Sequence, residues 1–177
     1  MTGKVIVISG VMAGGKTTLI KALSRVLPDN RVVSFDDYSI DALSSAPSLQ
    51  VPIERAVNQY DISALLADLK PLLHRYAYIL VDFPFGRRHN DLTPYIDWSF
   101  YLKTPLDIAF ARQLVRDYSN QPTSAIIDWA KTYLTNARPI FTHFDHYISA
   151  SADLIIDGQR PLPEKVAVVL KALKINQ

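Results

Sequence analysis

The chain has 177 residues, 49% of them hydrophobic and 20% charged, with a formal net charge of +2 and no cysteine. That length suits one domain with a substantial core, and a charge this close to zero, without any basic run, argues against a nucleic-acid surface. The lack of cysteine excludes disulfides, thiolate metal sites and a cysteine nucleophile, and it suits a reducing, cytoplasmic setting.

Val5-Ile6-Val7-Ile8 is a β-branched run of the kind buried in a parallel sheet. It is short and leads into a glycine loop, so it reads as a strand and not as a signal peptide. No apolar run approaches the roughly 18 residues of a membrane span, and none is expected to cross one. Gly10-Val11-Met12-Ala13-Gly14-Gly15-Lys16-Thr17 is a complete G-x-x-x-x-G-K-[ST] pattern. Leu19, Ile20, Leu23, Val26 and Leu27 then mark the inner face of a helix. Strand, glycine loop and helix are the context in which this pattern holds a nucleoside triphosphate. Glycines at 10, 14 and 15 let the loop curl until its N–H groups, from Gly10 through Thr18, approach phosphate oxygens, and the helix start adds the positive end of its dipole. Lys16 supplies a mobile charge for the β- and γ-phosphates, and the Thr17 hydroxyl is a ligand for Mg²⁺.

Pro28-Asp29-Asn30 ends that helix. Arg31-Val32-Val33-Ser34-Phe35 predicts a second strand that closes on Asp36-Asp37-Tyr38. Ligands of an open parallel sheet bind at the carboxyl ends of its strands, so both acids are candidates for chemistry, and either can instead cap a following turn. Residues 39 to 52 are rich in Ser, Ala and Pro and predict a loop that covers substrate. Asp61 is the expected N-cap of an amphipathic helix carrying Ile62, Leu65, Leu66, Leu69, Leu72 and Leu73, with Pro71 disturbing its last turn.

Ala77-Tyr78-Ile79-Leu80-Val81-Asp82 is a third strand ending in an acid, the usual partner of a phosphate loop, where Asp82 holds Mg²⁺ directly or through water. After the turn Phe83-Pro84-Phe85-Gly86, Arg87-Arg88-His89 either meets an anionic group on the substrate or is a solvated loop. A fourth strand follows at Asp97 to Leu102, and Thr104-Pro105 predicts a helix with Thr as its cap. Leu106, Phe110 and Leu114 mark its inner face, while Arg112 and Arg116, four apart, share another. A polar break from Asp117 to Gln121 makes 112–122 a candidate short lid whose arginines close over phosphates; the alternative is an exposed helix with Arg–Asp pairs.

A further helix from about Ser124 should be interrupted at Arg138-Pro139 and continue through Ile140, Phe141, Phe144, Tyr147 and Ile148. His143, Asp145 and His146 fit no tight zinc spacing. Asp153 to Gly158 is a fifth strand, and Pro163-Glu164 opens a last helix with Val166, Val169, Leu170 and Leu173 inward. The alternation predicts a three-layer α/β/α sandwich over 1–177 with a mostly parallel, five-stranded sheet.

In this order the segments resemble the P-loop kinases, and among them the uridine kinase and phosphoribulokinase group. Val33 to Tyr38 looks like the segment that carries that group's catalytic aspartate, which implies that role for Asp36. Tyr60-Asp61 is similar to the helix entry of uridine kinases, and Arg112 to Asp117 is similar to their lid segment. The chain has Asp61-Ile62-Ser63 where uridine kinases have Asp-His-Pro, and Asp82-Phe83-Pro84 where they tend to have Glu-Gly after the acid strand. The resemblance implies an ATP- and Mg²⁺-dependent transfer to a hydroxyl of a small molecule, such as a nucleoside. Lys16, Asp36, Arg112 and Arg116 are then catalytic; Asp36, Tyr38, Asp82 and Arg87 contact the acceptor; Thr17 and Asp82 serve the metal. The alternatives are a P-loop NTPase and a nucleotide-binding regulatory protein without a small-molecule acceptor. Against the first stand the missing Asn-Lys-x-Asp and Leu-Ser-Gly-Gly-Gln sequences and the presence of Phe83, not Glu, after Asp82; against the second stands the complete set of Lys16, Thr17, Asp36, Asp82 and the arginines.

Overall fold

The computed structural model describes residues 3–48 and 51–175. The strands are β1 (Lys4–Gly10), β2 (Asn30–Ser34), β3 (Tyr78–Asp82), β4 (Trp98–Lys103) and β5 (Leu154–Asp157). All four pairings are parallel, in the order β2-β3-β1-β4-β5. The helices are α1 (Lys16–Val26), α2 (Ile53–Ala56), α3 (Ser63–Leu72), α4 (Leu106–Asp117), α5 (Thr123–Thr132), α6 (Arg138–Ser149) and α7 (Leu162–Ala172). The α/β fold with a five-stranded parallel sheet is the one expected from the sequence.

The strand period of two divides the core between the faces of the sheet. Val5, Val7, Ile79, Val81 and Tyr101 face one way, onto Leu65 and Leu69 of α3 and Ile148 of α6. Ile6, Ile8, Leu80, Phe100 and Leu102 face the other, onto Leu19, Ile20 and Leu23 of α1 and Val166, Val169 and Leu170 of α7. Central strand β1 is thereby covered on both sides, which fixes the exit of the phosphate loop in space.

Several local expectations shift. Strand β2 stops at Ser34, because Phe35–Tyr38 winds into a 3₁₀ turn that buries Phe35 and leaves Asp36 at the strand tip. The 39–52 stretch is not wholly irregular: Ile40–Ala42 forms another 3₁₀ turn anchored by buried Ile40, and residues 49 and 50 lie outside the described set. Asp61 is not the N-cap of α3: that position is Ile62, and the Asp61 carboxylate accepts the Ser63 N–H at 2.9 Å from one residue further out. Beyond Pro71 the N–H groups of Leu73, His74 and Arg75 bond three residues back, a tightened last turn.

Thr104 does not cap α4; the position before the helix is Pro105, and no side chain caps it. The interruption near Pro139 is a π-helical turn, Tyr133–Ala137, joining α5 to α6 without a break in the helical course. Pro139 has no N–H for the carbonyl one turn back, and the backbone widens just before it.

Candidate functional site

A cleft of about 1340 Å³ opens where β1, β2 and β3 end. Its floor is the glycine loop. Gly15 sits at φ 100° and turns the chain into α1, in a region that disfavours any side chain. Ala13 holds φ 56°, which costs an L-residue about 1 kcal/mol and marks a loop held in shape by its neighbours. Gly10, Val11, Met12, Ala13, Gly15, Lys16, Thr17 and Thr18 all line the cleft. Gly14 departs from the expected set: its N–H donates to the Val11 carbonyl at 3.1 Å. Its carbonyl accepts from the Thr104 hydroxyl at 2.8 Å and from Arg112 at 3.3 Å. It braces the loop from behind.

Lys16 Nζ donates to the Val11 carbonyl at 3.3 Å, and the Thr17 hydroxyl donates to the Asp82 carboxylate at 2.8 Å. Burial lowers the Lys16 pKa; Asp82 and Asp36 resist that shift, while Arg116 adds to it. Burial raises the Asp82 pKa; Lys16 and the Thr17 hydrogen bond resist, and Asp36 and Asp37 push it further up. Lys16, Asp36 and Asp82, gathered at the tips of β1, β2 and β3, therefore feel one another's charge, as ionisable groups at functional sites do. A hydroxyl and a buried carboxylate at hydrogen-bond distance form a hard oxygen pair, the donor type that suits a Mg²⁺ ion completed by water and phosphate oxygens.

Lys16, Thr17, Asp36, Asp82, Arg112 and Arg116 all line this one cleft. Arg116 is also paired with Asp117, through Nε at 2.6 Å and a terminal nitrogen at 2.9 Å, and that pairing holds its charge firmly.

Tyr38 and Arg87 do not join them. The Tyr38 hydroxyl donates to Asp68 at 2.9 Å, and burial together with that contact pushes its pKa up to about 12. Arg87 is committed to structure: it pairs with Asp153 at 2.7 Å and donates to the carbonyls of Ile96 and Asp97 at 3.0 and 3.1 Å. Arg88 lies over the Tyr147 ring, 4.2 Å from its centroid, and donates to that residue's carbonyl. His89 is 1% exposed, with a ring nitrogen 3.0 Å from the Tyr60 carbonyl. The Arg87-Arg88-His89 run is thus neither a substrate contact nor a solvated loop but a clamp on the strand ends.

The sequence reading missed three things. Thr104 serves the phosphate loop through Gly14. Lys21 and Lys165 also reach the cleft. An aromatic wall stands opposite the loop: Phe35, Tyr60, Phe85 and Phe144 line the cleft, with Tyr60 and Phe85 stacked at 4.7 Å. The Phe83-Pro84-Phe85 run after the acid of β3 was the visible trace of that wall. His143 faces Glu54 across the cleft mouth, and Asp145 accepts from Tyr101 and Lys103. Among the described residues no group of three or more His, Cys, Asp or Glu is gathered for a metal ion, and no helix is long and apolar enough to cross a membrane.

No protein-family model matches the chain. No curated protein matches it either. Solved structures do. The tunicamycin resistance protein of Deinococcus radiodurans aligns with TM-score 0.64 at 16% identity, covering 98% of this chain and 97% of that one. The deoxyadenosine kinase of M. mycoides aligns with TM-score 0.55 at 13% identity, over 96% and 98% of the two chains. The shikimate kinase of Aquifex aeolicus aligns with TM-score 0.54 at 20% identity, over 96% of each. At these identities the likeness establishes the fold alone, a parallel α/β sandwich shared with these proteins.

Proposed function

We propose that this chain is a small-molecule kinase that moves the γ-phosphoryl group of a nucleoside triphosphate to an acceptor hydroxyl. ATP is the donor implied by resemblance, and a nucleoside such as uridine is the acceptor that the sequence resemblance brings forward. The observation that carries the reading is the meeting of the Lys16–Thr17 loop end, Asp36, Asp82 and two arginines in one cleft. Two of the structures named above are kinases of small molecules by name, which accords with it.

The roles follow from charge and position. The loop amides and Lys16 bind the β- and γ-phosphates. Thr17 and Asp82 are the residues that would hold Mg²⁺, which when bound neutralises phosphate charge. Asp36 orients the acceptor hydroxyl and accepts its proton as the new O–P bond forms and the bond from the γ-phosphorus to the β–γ bridging oxygen breaks. The leaving diphosphate keeps that bridging oxygen, and Arg112 and Arg116 offset the charge in transit. In a loose transition state such positioning and electrostatics supply most of the rate.

A coupled ADP-release assay over nucleosides, vitamins, sugars and their phosphates tests the reading. ADP release should depend on one acceptor class. Release that is equally fast without any acceptor would overturn it and favour an NTPase.

A further inference from the structure

The sheet order fixes which part of the cleft serves which reactant. With β1 and its loop in the middle of β2-β3-β1-β4-β5, Asp36 and Asp82 stand at the tips of the strands on one side. Arg112 and Lys165 come from the helices that follow β4 and β5, on the other side, and the turn after β5 abuts the loop itself. A Cβ on Gly158 would lie 2.0 Å from the Thr104 hydroxyl that holds Gly14. A triphosphate whose reactive end faces Asp36 therefore carries its nucleoside toward β4 and β5. The space above β2 and β3 is left for the acceptor.

We infer that the acceptor is an uncharged alcohol built on a flat apolar ring, and that the cleft discriminates against anionic versions of the same molecule; this rests on the kinase reading above. The acceptor space is walled by Phe35, Tyr60, Phe85, Phe144 and Ile53. Phe35 meets Tyr60 and Phe85 edge-on, at 6.2 and 5.6 Å, so the wall is a packed aromatic surface on which a ring can stack. Of the charged side chains that line the cleft, Asp36 and Asp82 stand at the strand tips of this side and Asp41 lies close enough to Tyr60 to act on its hydroxyl, while Arg116 of α4 feels the charge of Asp36 and is forked on Asp117. The lysines and arginines of the cleft sit on α1, α4 and α7, around and beyond the phosphate loop. His143, next in sequence to Phe144, lines the cleft too, and its ring is engaged by Glu54. The two arginines that follow β3, Arg87 and Arg88, are held by Asp153 and Tyr147. A carboxylate or phosphate on the acceptor would thus lose water, meet the acids of this side and find the Arg116 guanidinium already forked on Asp117. A neutral ring loses nothing comparable and gains stacking.

The test uses neutral and acidic twins on the full chain with Mg²⁺ and a non-hydrolysable ATP analogue. The pairs are uridine with 5-carboxyuridine, and methyl 4-(hydroxymethyl)benzoate with 4-(hydroxymethyl)benzoate. Ligand-observed NMR gives each Kd, and transfer from γ-labelled ATP is followed in parallel. The neutral member of at least one pair should bind about tenfold or more tightly than its acid. Tyr60→Leu should weaken that binding severalfold. Asp41→Lys, at an exposed site, should raise the affinity of the acid severalfold and so needs no change in the wall. Acids that bind as well as their twins, or two pairs that do not bind at all, would overturn the inference while leaving acceptor-dependent transfer to other alcohols intact. Neutral-ring binding without transfer to any acceptor would instead sink the kinase reading and leave the ligand class standing.

Discussion

The Thr17 hydroxyl donates to the Asp82 carboxylate over 2.8 Å, tying the end of the phosphate loop to the tip of the neighbouring strand. That contact joins a residue sixteen positions into the chain's opening unit to one that is 5% exposed at the head of the sheet. Burial charges a cost for this: the carboxylate is kept near Lys16, yet it is harder to ionise than a carboxylate in water.

A pH dependence follows. Because the folded protein raises the Asp82 pKa, the native state binds more protons than the unfolded one between the ordinary carboxylate range and the raised value. Stability contributed through this group is therefore greatest below that window and declines as pH climbs through it. Asp82→Asn removes the slope. Without nucleotide, the variant should melt at a higher temperature than the parent at neutral pH and show a smaller difference in acid. Calorimetry from pH 4 to 8 checks this, and an equal or larger slope in the variant would refute it. Metal-dependent nucleotide affinity should fall in the same protein, the trade between stability and function seen at many active sites.

Asp36→Asn keeps the shape of the turn after β2 and removes the proposed base. Nucleotide affinity should change by less than about twofold, while turnover with a productive acceptor falls by about 10²-fold or more. Separate binding and rate measurements decide it, and full turnover by the variant would remove Asp36 from the mechanism.

Thr104→Val preserves side-chain shape but strips the hydrogen bond to the Gly14 carbonyl, in a place where Thr104 is 2% exposed. The expected loss is about 1–3 kcal/mol of stability, from denaturant melts, together with weaker nucleotide binding as the loop loosens. A variant of unchanged stability would return Thr104 to the ranks of ordinary helix-entry residues.

Arg87→Ala should behave in the opposite way to a substrate contact. It breaks the pairing with Asp153 and two bonds to carbonyls, so the protein should lose about 1–2 kcal/mol. The acceptor KM should stay within about twofold, since the side chain is turned from the cleft. A large rise in KM with stability intact would put Arg87 back at the substrate.

Local pattern carried most of the fold. Each strand announced itself as an apolar run, and the glycine loop fixed where ligands gather. That Asp36, Asp82, Arg112 and Arg116 would line one cleft was legible because each lies at a predictable station relative to a strand end or helix face. What stayed hidden depends on long-range pairing. Nothing near Arg87 reveals that Asp153, sixty-six residues on, will take its charge. Thr104 looked like a helix cap because Thr before Pro usually is one; the backbone of Gly14, ninety residues earlier, made the better offer. The aromatic wall assembles from the ends of β2 and β3, the approach to α3 and a face of α6, so no single window of sequence contains it.

The widened turn at Tyr133–Ala137 has one more consequence. Each residue of an α-helix advances the direction of its side chains by about 100°. A π-turn takes up one extra residue within a single turn, so losing one residue there would rewind it to ordinary pitch and leave Phe141 and Phe144 facing the cleft, whereas losing one from the regular part of α5 would swing every position downstream by that angle. The turn thus acts as a buffer of chain length, absorbing one residue so that the aromatic side chains of α6 keep their place beside the cleft.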